Sequence, residues 1–243
     1  MTDEPGSNRR LLLISNSTLH GSEYLDHCEG AIRTHLGGVK RVLFVPYARP
    51  GGITEDEYTA MARERFEKMG IELTSLHENM AKRTVIGGAE AMFVGGGNTF
   101  VLLSSLQELG LLEHIAERIR EGMPYIGTSA GANIAGKTIM TTNDMPIVYP
   151  KSFNAIGAVP FVINPHYIDP VAGSTHMGET RETRIKEYHV FNSDSVVGLR
   201  EGAMLETEGD RMRLWGSSKA RLFRQGQEPQ EYTPGADLSF LLE

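Results

Sequence analysis

Five short, almost uninterrupted apolar runs, spaced by helical patterns, restrict the folds open to this chain more than any other feature. They are "LLLIS" at 11–15, "RVLFVP" at 41–46, "IELTSL" at 71–76, "AMFVG" at 91–95 and "PYIGT" at 124–128. Runs of this length suit strands rather than helices, and strands that are apolar throughout are covered on both faces. Helical patterns fall between them at 24–36, 55–69 and 99–121, the last broken at Gly110. Strands alternating with helices build βαβ units with right-handed crossovers. The expected fold class is therefore α/β, with a mostly parallel central sheet flanked by helices. The C-terminal third changes character: in "SVVGLREGAMLETEGDRMRLWGSSKARLFRQG" short strands are separated by "EG", "GD" and "GS". Those turn signals predict antiparallel C-terminal strands. No repeat or low-complexity linker interrupts the pattern, so the expectation is a disordered polar tail over 1–10 and a single domain over 11–243.

Composition removes several function classes. Thirty-one acids against 24 Lys and Arg leave a formal charge of −7, the wrong sign for a nucleic-acid footprint. Cys28 is the only cysteine in the chain, which rules out an internal disulfide framework and a cysteine-based zinc site and fits a reducing compartment. The opening "MTDEPGSNRR" is polar, and "LLLIS" is far too short to span a bilayer. These features point to a cytoplasmic chain without membrane or nucleic-acid partners, acting as a monomer or small homo-oligomer.

The segment "YIGTSAGANIAG" at 125–136 carries the chemistry. Gly127-Thr128-Ser129-Ala130-Gly131 matches G-x-S-x-G, a strained strand-to-helix turn that thrusts a serine outward, and it lies after a predicted strand and before a helix. The flanking glycines are required because side chains there would collide. A serine hydroxyl attacks only when a base removes its proton and donors hold the oxyanion that forms. Ala130 N–H follows the nucleophile at a helix start. A second glycine-rich turn, "VGGGNTF" at 94–100, also ends a strand, and carboxyl ends of parallel strands gather at one edge. Gly95, Gly96 and Gly97 are the candidates for the second donor, and the mechanism implied by the resemblance below takes Gly96. The same turn also has the makings of an anion cradle, but it lacks both glycine spacings of nucleotide-binding loops.

Of eight histidines, His27, His35, His114 and His189 fall on predicted helices, where a solvated face explains them. His166 stands apart in "FVINPHY", where a strand runs into Asn164-Pro165 and the proline bars helical backbone before it. That is a rigid station for a base, with His176 as rival. The orienting acid is not chosen by spacing: Asp144, Asp169, Glu179 and Glu201 all remain.

Taken together, "LLLISNSTLHG" at 11–21, "VGGGNTFVLL" at 94–103, "YIGTSAGAN" at 125–133, "TTNDMPIV" at 141–148, "INPHY" at 163–167, "GETRETRI" at 178–185 and "GLREG" at 198–202 resemble peptidase E. This is the α-aspartyl dipeptidase family of cytoplasmic serine peptidases. The resemblance covers nearly the whole chain and implies a flavodoxin-like, class I glutamine amidotransferase-like fold. It also implies no metal or cofactor, and hydrolysis of dipeptides with an N-terminal aspartate. It assigns the nucleophile to Ser129, the base to His166 and the orienting acid to Glu201. The order Ser, His, Glu differs from that of α/β-hydrolases, which makes the elbow convergent.

For the substrate carboxylate the resemblance points to Arg181. A physical reason accompanies it: Thr180 suits an N-cap, so Arg181 and Arg184 lie in the first turn of a helix running to about Phe191, where the macrodipole disfavours cations. An anionic ligand would justify them. The bland alternative is an arginine paired with Glu182 or Glu187. Asn16, Asn98 and Asp144 lie in the resembling motifs and are expected to shape the site or bind the substrate amine, and the stretch at 167–180 is a candidate lid. The rivals are a cyanophycinase-like hydrolase of β-aspartyl peptides and a flavodoxin-like module that binds phosphate or nucleotide without chemistry.

Overall fold

The structure is a computed structural model that describes residues 8–170 and 178–243. His176, half of the candidate lid (171–177) and the first seven residues of the expected tail lie outside the described residues. Five strands form the parallel part of the main sheet: β1 (Arg10–Ile14), β2 (Arg41–Val45), β3 (Glu72–Ser75), β4 (Met92–Val94) and β5 (Tyr125–Thr128). All four of the apolar residues in β1, Leu11 to Ile14, are buried, as strands covered on both faces must be. Arg10, assigned to the tail from sequence, opens β1 because it pairs with Glu208.

The connecting helices are α1 (Glu29–Leu36), α2 (Glu55–Lys68), α3 (Lys82–Gly87), α4 (Thr99–Glu108), α5 (Leu112–Arg120) and the single-turn α6 (Ala130–Asn133). Local chemistry sets their ends. Thr54 and Glu57 form a reciprocal capping box on α2, and the Asn98 side chain accepts the Val101 N–H at the start of α4. Gly110, at φ +63°, lets the Leu111 N–H fold back onto the Leu106 carbonyl, which ends α4 and creates the break before α5. The six-residue α3 was not expected, since a crossover so short carries too few residues to display helical periodicity.

The C-terminal part comprises β6 (Val162–Asn164), α7 (Arg181–Phe191), β7 (Val196–Leu199), β8 (Ala203–Glu208), β9 (Arg211–Gly216), β10 (Ala220–Phe223) and β11 (Gln230–Tyr232). These strands divide between two sheets. β8 and β9 extend the main sheet antiparallel beside β1, giving the order β3-β2-β4-β5-β1-β8-β9; β11-β10-β7-β6 form a second sheet in which β6 and β7 run parallel. The fold class expected from sequence holds, with the antiparallel strands shared between both sheets.

One apolar cluster joins them, running from Leu13, Val94 and Tyr125 of the main sheet to Ile163, Val197 and Leu222 of the second. The opposite face of the main sheet packs Phe44, Phe93 and Ile126 against Tyr58 and Phe66 of α2 and Ile32 of α1. α7 covers the outer face of the second sheet through Ile185 and Tyr188. His35 and His189, expected on solvated helix faces, are buried instead, only 5% and 8% exposed. Both helices turn those faces towards a sheet. Among the described residues no helix is long and apolar enough to cross a membrane.

Candidate active site

The elbow forms because three backbones crowd together. A Cβ on Gly127 would stand 2.4 Å from the Gly131 carbonyl oxygen, and one on Gly131 would stand 2.2 Å from that of Val94. Only glycine at both positions lets β5, α6 and β4 approach so closely. The Tyr125 hydroxyl adds a 2.7 Å bond to the Gly131 carbonyl. Ser129 sits at the apex with φ +52° and ψ −110°, a conformation costing about 1–3 kcal/mol for a residue with a Cβ. Its N–H donates to Ile14 O at 2.9 Å and its carbonyl accepts the Asn133 N–H at 2.9 Å. The strain is held from both sides.

His166 is delivered by β6 and a second strained turn, φ +52°. Its N–H donates to the Ser15 hydroxyl at 2.9 Å, and that hydroxyl donates to Leu199 O at 2.8 Å. Below the turn, Asn143 Nδ2 donates to Pro165 O at 2.9 Å, and Asn164 Nδ2 donates to Thr141 O and Asn143 Oδ1. The ring therefore has a fixed base. His166 Nε2 lies 2.9 Å from Ser129 Oγ, and His166 Nδ1 lies 2.8 Å from Glu201 Oε1. A carboxylate only accepts, so Nδ1 carries the proton and Nε2 is left to accept from the serine hydroxyl. The chain of three groups is suited to activating an alcohol at neutral pH.

The other candidate acids are engaged elsewhere. Asp169 grips Arg200 through two 2.7 Å bonds, which hold its carboxyl below the usual range. Arg200 also binds Glu231, and Arg221 pairs with Glu182 at 2.8 Å, tying the start of α7 to the second sheet. Asp144 accepts the Thr99 N–H at 2.7 Å, and Glu179 faces Arg184 at 3.7 Å.

Gly96 lies against the nucleophile, where an added Cβ would meet Ser129 Cβ at 3.0 Å and Oγ at 3.7 Å. Ala130 opens α6, where the first N–H groups lack partners within the helix. Asn98 places its Nδ2 on Met145 O at 2.9 Å, linking the α4 start to the segment that holds Asp144. Asn16, expected either to shape the site or to bind the substrate amine, has both ends of its amide engaged within the chain: Oδ1 accepts Gly202 N–H and Nδ2 donates to Thr18 O. That leaves it holding the Glu201 turn.

Arg181 occupies the first turn of α7, whose N-cap Thr180 accepts the Thr183 N–H. It is partly buried, and no ion pair or hydrogen bond to it occurs among the described residues. Glu182, its alternative partner, is committed to Lys186 and Arg221. Burial first and the neighbouring Arg184 second lower the Arg181 pKa, with Asp144 opposing. Arg181 and Arg184 line a cleft of about 510 Å³ with Asn143, Asn164, Met140 and Phe191. Asn143 and Asn164 also support the His166 turn, so the cleft adjoins the turn that carries His166.

The match of known proteins to this geometry is broad. The model of peptidase family S51 matches residues 11–215. The chain belongs to peptidase family S51. It is 49% identical to Peptidase E of Streptomyces coelicolor over 96% of this chain and 95% of that protein. It is 47% identical to the Drosophila melanogaster protein named "Probable alpha-aspartyl dipeptidase", over 98% and 99%. A crystal structure of a peptidase from an acI-B1 Actinobacterium shares the fold with a TM-score of 0.72 at 19% identity, covering 96% of this chain and 97% of that one. Within this S51 peptidase the residue pattern had pointed to Ser129 and His166 and the family resemblance to Glu201, but neither had pointed to Ser15, Asn143 or the support given by Asn164. Ser15 and Asn164 end strands and were therefore reachable by the strand-end argument.

Proposed function

We propose that this chain is a serine dipeptidase that hydrolyses Asp-X through an acyl-enzyme. The observation that carries the reading is the single imidazole lying within hydrogen-bonding distance of both Ser129 Oγ and Glu201 Oε1, at 2.9 and 2.8 Å. His166 Nε2 takes the hydroxyl proton as Oγ adds to the α-carbonyl of the aspartate, and Glu201 stabilises the imidazolium. Gly96 and Ala130 N–H groups hold the oxyanion. The tetrahedral intermediate expels the amine of X, which receives the proton from His166. Water then gives its proton to the same nitrogen, attacks the ester and frees aspartate, restoring the Ser129 hydroxyl.

Arg181 receives the aspartyl carboxylate. Its partly buried guanidinium, without an ion pair among the described residues, and the name of the Drosophila relative, a probable alpha-aspartyl dipeptidase, both support that choice. Asp144 and Asn98, joined to the α4 start, border the same region and are assigned to substrate binding. The continuous core supports one domain, and we assign it to the cytoplasm as a monomer or small homo-oligomer.

A kinetic survey of Asp-Leu, Glu-Leu, Asn-Leu and N-acetyl-Asp-Leu tests the reading, with Ser129→Ala as the control. Turnover restricted to Asp-Leu and lost in Ser129→Ala is expected. Turnover of β-Asp-Arg in preference to α-Asp-Leu would replace it with a β-aspartyl hydrolase.

A further inference from the structure

Gly95, Gly96 and Gly97 form the least self-determined backbone near Ser129, because glycine moves freely between negative and positive φ. An oxyanion donor is useful only when it is already aimed before the charge develops. Something outside the turn must therefore hold it. Two main-chain bonds contribute: Gly95 N–H donates to Val45 O at 3.2 Å and Asn98 N–H donates to Ala48 O at 2.6 Å. The third comes from α2, on the opposite face of the sheet from α6. The Tyr58 hydroxyl donates to Gly96 O at 3.2 Å, and among the described residues it makes the one side-chain hydrogen bond to these three glycines.

Tyr58 is itself closely packed. It is fully buried, with Phe44 edge-on at 5.0 Å between ring centroids, Tyr24 edge-on at 6.4 Å and the Arg49 guanidinium 4.5 Å from its ring centre. A Cβ on Gly95 would come within 2.4 Å of the Tyr58 hydroxyl oxygen. The turn is thus seated directly on the phenol on one side, while Gly96 touches Ser129 on the other. Packing alone would be served by phenylalanine, which spares the cost of burying a hydroxyl.

We infer that Tyr58 is a positioning residue for the oxyanion hole: its hydroxyl holds the peptide plane after Gly96 through the Gly96 carbonyl, while the Gly95 N–H bond to Val45 O holds the plane before Gly95, so the intervening plane that carries the Gly96 N–H is fixed from both ends. The inference rests on the proposed serine hydrolysis, in which Gly96 is a donor. Removing an entire oxyanion donor costs about 100- to 1000-fold in kcat. Loosening one that remains in place should cost less, roughly tenfold, since misplacement by about 1 Å can already cost about 100-fold.

The test uses the full chain with Tyr58→Phe, and Arg49→Ala as a control that strips the cation from the same ring but leaves the hydroxyl. Two rates are read: steady-state hydrolysis of Asp-Leu, and phosphonylation of Ser129 by a fluorophosphonate, whose adduct places a phosphoryl oxygen in the oxyanion hole. Tyr58→Phe is expected to lower kcat about tenfold with KM within about twofold, and to slow phosphonylation by a similar factor. Arg49→Ala is expected to keep both rates. Thermal melts of the two variants separate lost packing from lost orientation. Wild-type rates in Tyr58→Phe, a loss carried by KM, or equal slowing in two equally destabilised variants would overturn the inference. A wild-type chain that labels at Ser129 but leaves Asp-Leu intact would refute the substrate reading, while phosphonylation still decides the role of Tyr58.

Discussion

Asn16 accepts the Gly202 N–H at 2.8 Å across a sequence separation of 186 residues. The bond joins the end of β1 to the turn that carries Glu201, and it is buried. Asn16→Ala would leave that N–H without its acceptor, at a cost of about 1–3 kcal/mol. Glu201 would lose its anchor at the same time. The expected outcome is a lower unfolding free energy in urea together with a drop in kcat that exceeds any change in KM. Unchanged kcat in a destabilised variant would show that Glu201 is held by other means.

Gly131 offers a purely steric prediction. The Cβ of Gly131→Ala would fall 2.2 Å from the Val94 carbonyl oxygen, a backbone atom that no rotamer change can move. Overpacking a core usually costs about 1–3 kcal/mol, and a clash between backbones should exceed the upper end. Circular dichroism and thermal melting are expected to show a grossly destabilised chain. A variant that melts within a few degrees of the parent would mean that β4 and α6 separate more easily than their contact suggests.

Arg181→Ala should distinguish charge recognition from scaffolding. A charge-assisted hydrogen bond contributes about 1.5–3 kcal/mol, so kcat/KM for Asp-Leu is expected to fall roughly 100-fold. The residual rate on an uncharged analogue such as Ala-Leu should hardly change. A uniform loss on both substrates would argue that Arg181 supports the cleft instead of reading the carboxylate.

His35 should impose an acid limb on stability. Burial, reinforced by the Arg10 guanidinium, pushes its pKa down to about 4. The unfolded chain takes up this proton near the ordinary value of about 6.5. The unfolded state thus binds more protons between those two values, and stability falls as pH drops from about 6.5 to 4. The full difference is on the order of 3 kcal/mol. Urea denaturation at pH 7.5 and 4.5 is expected to show a smaller pH effect in His35→Leu than in the parent. Equal pH effects would place the acid sensitivity elsewhere.

Features governed by neighbours in sequence were legible. The continuous apolar strands, the break at Gly110 and the glycine spacing around Ser129 follow from contacts within a few residues or from sterics that any such turn must meet. Thr180 capping α7 belongs with them. The burial of His35 and His189 was not legible, because a histidine on a helix says nothing about which face meets the sheet. Nor was the division of the C-terminal strands: β8 pairs with β1 and β10 with β7, and turn signals mark where strands end without naming their partners.

By itself the sequence determined that this is a layered α/β chain with one serine forced outward at a strand end, because local backbone geometry leaves those residues little else to form. Resemblance to a family then named the histidine and the acid. The tertiary structure shows Glu201 facing His166 Nδ1, and it alone decided that Asn16, Ser15, Asn143 and Tyr58 hold the turns in place. Those are long-range hydrogen bonds, and their partners become neighbours only after the strands have registered and the two sheets have closed on a common core.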